Sequence, residues 1–111
     1  MEDLTIEGMA LSSSVVETII AIAAKEVEGV VSIGSPTGLF SAVLGKSNTQ
    51  GIDIIPLDDG SLAIEMHLEA AYGSVLPEVA DGVRSAVADA IATQVGARVA
   101  AIDVFIDSIR F

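Results

Sequence analysis

From Leu62 to Tyr72 the chain alternates strictly. Leu62, Ile64, Met66, Leu68, Ala70 and Tyr72 fall on one side of an extended strand, and Ala63, Glu65, His67, Glu69 and Ala71 fall on the other. The rhythm stops at Gly73. Behind Pro77 a helical one begins, in which Val79, Val83, Val87 and Ile91 recur on one stripe. Proline is tolerated in a first turn, Glu78 and Asp81 lie toward the positive end of the helix dipole, and Gly96 closes the helix. Upstream, Ile52 to Leu57 alternates as a partner strand whose Pro56 lacks a ladder donor and so marks an edge or a strand end. Asp58-Asp59-Gly60 then forms a hairpin turn with a positive φ at the glycine. Downstream, Val99 to about Ile109 predicts a last strand with Ile102, Val104 and Ile106 on one face and Asp103, Phe105, Asp107 and Ile109 on the other.

Nearer the N-terminus, Leu4 to Ile6 fits a short strand, and Ser12-Ser13-Ser14 supplies candidate helix caps. Ser14 with Glu17 three residues later fits a capping box, Val15, Ile19, Ile22, Ala23 and Val27 form the inward stripe, and Gly29 suits the end of the helix. The alternative for the serines is a modification or nucleophile site. From Val31 to Gly51, five glycines and prolines break the pattern into a variable connection. Within it, Leu39 to Leu44 makes one or two helical turns that put Phe40 and Leu44 on one side, either to close the core or as a docking tab for a partner.

The element order is βαββαβ, or αββαβ without the first strand. Striped helices need a sheet to cover, so the expected fold is α+β: a two-layer sandwich in one domain, 1–111, with both helices on one face of a three- or four-stranded mixed sheet. A right-handed crossover makes the last strand parallel to the long strand, and the order of the strands stays open. The face away from the helices then presents Asp53, Glu65, His67, Glu69, Asp103 and Asp107, with Phe105, Ile109 and Phe111 among them. These apolar residues on a wet face are candidates for self-association or partner docking, unless a tail or the 31–51 connection folds over them.

Composition narrows the classes. The 111 residues are 51% hydrophobic with few aromatics, enough for one aliphatic core. Sixteen acidic residues against five basic ones give a net charge of −11, which repels phosphate backbones and anionic lipid, and the basic residues are scattered; nucleic-acid binding is not expected. The absence of cysteine fits a reducing, cytoplasmic setting. The N-terminus is acidic where a secretory signal is basic, and the most apolar window, Val15 to Val27, is too short and too charged to span a bilayer.

Little in the chain points to catalysis. Gly45-Lys46-Ser47 resembles the end of a phosphate-binding loop, but Phe40 stands where that loop needs a glycine. No nucleophile elbow occurs. His67 between Glu65 and Glu69 is the one place where an imidazole and carboxylates converge on a strand face. It is a solvated, charge-paired histidine or, with help from Asp103 or Asp107, a metal or small-ligand site; residues two apart on one strand are about 7 Å apart and seldom close a coordination shell alone. No cofactor is expected.

Taken in order along nearly the whole length, these features resemble the alkaline-shock, or envelope stress response, protein family of Gram-positive bacteria. The resemblance rests on Ala23-Ala24-Lys25-Glu26-Val27-Glu28-Gly29-Val30, on Gly38-Leu39-Phe40 through Leu44-Gly45, and on Gly51-Ile52. Above all it rests on Tyr72-Gly73 followed by Pro77-Glu78-Val79-Ala80, then on Gly96 and Ile102-Asp103-Val104-Phe105-Ile106. It implies a small, cytoplasmic, non-enzymatic protein that associates with itself and gathers at the inner face of the cell membrane through a small membrane-anchored protein partner. The implied role lies in envelope stress or homeostasis. The family brings no established catalytic residues to carry over.

Overall fold

The computed structural model describes residues 3–6, 9–34 and 51–111. Strand β1 (Asp3–Ile6) pairs antiparallel with β2 (Met9–Ser12) in a separate two-stranded sheet. The expected first strand therefore forms, but among the described residues it pairs with β2 alone, not with the main sheet.

Helix α1 (Ser13–Lys25) follows at once. Its cap is Ser12, whose Oγ accepts from the Ser14 amide at 3.1 Å, so the capping box expected at Ser14 and Glu17 begins two residues too late. The inward stripe is also rotated. Val16, Ile20 and Ala24 are fully buried, whereas Val15 and Ile22 face solvent. Of the expected stripe Ala23 is buried and Ile19 and Val27 pack against the core, so the buried seam straddles the two adjoining apolar stripes of this segment.

Among the described residues the main sheet has four strands: β3 (Val30–Ile33), β4 (Ile52–Pro56), β5 (Leu62–Ala71) and β6 (Val99–Arg110). β3 runs from Val30 into the stretch from Val31 that the sequence suggests is only a variable connection. Both β3 and β4 lie antiparallel along one edge of β5, β3 against Leu68 to Ala70 and β4 against Leu62 to Met66. They meet at His67, whose carbonyl accepts from the Gly34 amide and whose amide donates to the Gly51 carbonyl, both at 2.7 Å. Gly34 and Gly51 have φ of 107° and 89°, and a β-carbon on Gly51 would lie 2.6 Å from the Gly34 Cα. Only glycine suits that pinch. The chain between them, with Phe40, Leu44 and Gly45-Lys46-Ser47, lies outside the described residues.

On its other side β5 pairs in parallel with β6 over its whole length, as the crossover rule predicts. The connection is α2 (Leu76–Ala90), running into a π-helical turn at Ile91–Val95 that Gly96 ends in the left-handed conformation. The core lies between the helices and one face of the sheet. Val79, Val83 and Val87 from α2 and Ile91 from the π-helical turn meet Leu62, Ile64, Met66 and Leu68 from β5, the helical stripe and the β5 alternation that the sequence pattern shows. Each such side chain contributes about 1.5–3 kcal/mol when fully buried.

Candidate functional site

The sheet face opposite the helices is built from alternate residues of β4, β5 and β6. Register places Asp53 beside Glu65 and Glu65 beside Asp103, so three carboxylates form a row across three strands. Neighbouring strands are about 4.8 Å apart, and like charges directly opposite repel. The next position along holds His67 beside Phe105. Their rings stack with centroids 4.7 Å apart and planes 15° from parallel, and the His67 Nδ1 lies 2.8 Å from Asp107 Oδ2. Phe105 is 44% exposed on this face, about halfway along β6.

Beyond it sits Glu69, which is buried although it is on the open side of the sheet. Its carboxylate accepts from the hydroxyls of Ser32 at 3.4 Å and Ser108 at 2.9 Å, and pairs with Arg110 Nη2 at 3.0 Å. One side chain thereby links β3, β5 and β6. A carboxylate can be buried at this depth because these donors replace its water.

Ser108 reaches Glu69 because of an irregularity that strict alternation does not foresee. Between the pairs Leu68–Ile106 and Glu69–Ser108 the register shifts by one residue, so Asp107 is bulged and everything after it changes face. Ile109, expected beside Phe105, instead pairs with Ala70 and packs on the core. Phe111 is 93% exposed at the end of β6 and packs on Tyr72 with ring centroids 4.8 Å apart. Tyr72 itself lies just past the end of β5 and is exposed, not buried as the alternation suggests. Phe40 and Leu44 are not among the described residues.

Glu65, His67 and Glu69 share the face but do not converge. Glu69 is turned to Ser32, Ser108 and Arg110, and His67 to Asp107. Among the described residues no group of three or more His, Asp or Glu could hold a metal ion.

A last polar cluster pins the β4–β5 hairpin to the start of β6. Asp59 Oδ1 accepts from both the Ser61 hydroxyl (2.5 Å) and amide (3.0 Å), and its Oδ2 lies 2.8 Å from Arg98 Nη2. The two Ser61 bonds, the hydroxyl first, and the nearby guanidinium hold the Asp59 carboxyl below its ordinary range.

β6 is a 12-residue strand paired with β5 on one side only among the described residues, and its other edge carries backbone donors and acceptors. No described helix is long and apolar enough to cross a membrane. No curated protein and no solved structure matches the chain. A family comparison does match, over residues 2–111: the chain belongs to the ASP23 (alkaline shock protein) family, of cell envelope-related function.

Proposed function

We propose that the protein is a non-enzymatic interaction module of cell-envelope stress response or homeostasis, which associates with itself and is recruited to the inner face of the cell membrane by a small membrane-anchored protein. The observation that carries this reading is Phe105, an aromatic ring left half open beside the carboxylate row on β6, whose outer edge is unpaired among the described residues. Phe111 and Tyr72 form a second, separate exposed aromatic pair at the end of β6.

Charge argues for a protein intermediary. A net charge of −11 opposes direct attachment to anionic lipid, so a protein contact has to hold the chain at the membrane. The row of Asp53, Glu65 and Asp103 also repels an identical row laid squarely on it, which favours contact through Phe105 and the β6 edge over flat stacking. Within the family-level role, Phe105 and Phe111 are the contact residues, and Ile109 supports them from the core side.

Replacing Phe105 with Glu tests the surface, with mass measured by light scattering over a concentration series. The exposed ring makes the change compatible with folding, which circular dichroism verifies. The reading expects the wild-type assembly to shift toward monomer. An unchanged assembly state overturns this surface.

A further inference from the structure

The helical layer holds a second feature, independent of the sheet face. Helix α1 carries more apolar surface than the core takes up: Ile22 is 59% exposed and Val15 45%. Ile19 and Ile22 open onto a groove of about 300 Å³ between α1 and α2. The wall opposite is Ala86 and Ala90 of α2, whose small side chains leave the space, continued by Thr93 and Gln94 of the π-helical turn, and the rims carry Glu26 and Asp89. Among the described residues neither rim carboxylate has a salt bridge or a side-chain hydrogen bond. Just past the end of α1, Val27 packs where a β-carbon on Gly82 would stand, 2.9 Å from its Cγ1, so the chain closes tightly on α2 at that end and leaves the groove toward the other.

We propose that this groove is a docking site for a basic amphipathic helix of a protein partner. Its apolar face would enter between Ile19 and Ile22 on one side and Ala86 and Ala90 on the other, with Lys or Arg residues against Glu26 and Asp89. Shape supports a helix. Ile19, Ile22 and Glu26 follow one another at three and four residues, and Ala86, Ala90 and Thr93 at four and three, the spacings by which a helix presents one continuous seam to a neighbour. Small residues on one wall let a third backbone approach.

Charge selects the occupant. The rims are acidic on a protein of net charge −11, so a cationic helix gains at both rims, whereas an anionic lipid surface is repelled. A second copy of this chain does not fit the requirement. Its basic residues, Lys25, Lys46, Arg84, Arg98 and Arg110, are too dispersed along the sequence to make a basic amphipathic helix.

The test titrates the intact protein into a fluorescently labelled synthetic helix of roughly 18 residues, long enough to hold helical structure when bound, with Leu and Ala on one face and Lys on the other. A peptide of the same composition in scrambled order is the control. Anisotropy should report binding of the amphipathic peptide in the micromolar range, and at least about tenfold weaker binding of the scrambled one. Ile22→Glu and Asp89→Lys should each weaken binding by about tenfold or more, and Phe105→Glu should leave it within about twofold, all with wild-type circular dichroism. Four results overturn the proposal: no binding, equal binding of the scrambled peptide, loss of binding in Phe105→Glu alone, or an Ile22→Glu variant that splits an assembled wild type, which would make the occupant a second copy. Because Phe105 serves only as a control, failure of the sheet-face proposal leaves this outcome readable.

Discussion

Gly51 and Gly60 share one backbone state and differ in what surrounds them. Their φ angles are 89° and 86°, so replacing either with alanine incurs nearly the same left-handed cost, about 1–2 kcal/mol. Both replacements also restrict the unfolded chain, an offset of about 0.4–1 kcal/mol that is common to the two. What differs is contact. A β-carbon at Gly60 meets nothing within 4 Å, but at Gly51 it would lie 2.6 Å from Gly34 Cα and 3.1 Å from the His67 carbonyl oxygen. Those are backbone atoms fixed by the ladder at His67, and they cannot rotate away as a side chain would. Overpacking of that kind costs about 1–3 kcal/mol, a sizeable part of the roughly 5–15 kcal/mol that holds a domain folded. With a urea slope of about 1–2 kcal/mol per molar, the Gly51→Ala midpoint should fall roughly 1 M or more below that of Gly60→Ala. Equal midpoints would refute the reasoning and, with it, the seating of β3 and β4 end to end on one edge of β5.

Two further perturbations follow from the polar clusters. Glu69→Ala leaves the Ser32 and Ser108 hydroxyls without their acceptor and should cost about 1–3 kcal/mol in urea unfolding, with Glu69→Gln recovering part of it; the ion-pair share is small because Arg110 is 63% exposed. An unaltered midpoint in Glu69→Ala would count against the three-strand link. Asp59 has a carboxyl held below its ordinary value of 3.8, so its stabilisation is complete above that pH and is lost as pH falls through the folded value. Asp59→Asn should therefore flatten the fall of stability below about pH 3.8, and a profile parallel to wild type would contradict the assignment.

The frame of the fold is legible in the sequence where one periodicity dominates. β5 alternates over ten residues and α2 repeats its valines every four, so the hairpin, the crossover and the parallel closing strand all follow. Legibility fails where two patterns compete or where the signal is short. In α1, Val15, Val16, Ile19, Ile20, Ile22 and Ala23 offer two adjoining apolar stripes, and only packing against α2 and the sheet decides where the buried seam falls across them. β3 has four residues between Gly29 and Gly34, too few for periodicity to register, and it is held by ladder bonds to a distant strand. At the candidate site the sequence identifies Phe105, His67 and the acidic row, because alternation puts them on one face. It misplaces Ile109 because a single bulged residue, Asp107, inverts every side chain after it, and nothing local announces a bulge. The same slip hides the Ser108 to Glu69 bond.

In the proposed function, association runs through β6 and the open sheet face. Hydrogen exchange read by mass spectrometry, on assembled wild type and on Phe105→Glu at the same concentration, tests it directly. The account predicts that peptides covering Val99–Arg110 are protected in the wild-type assembly and exchange faster in the variant, while peptides from α1 and α2 exchange alike in both. Protection confined to the helical layer, or exchange along β6 that does not change with assembly, would contradict it.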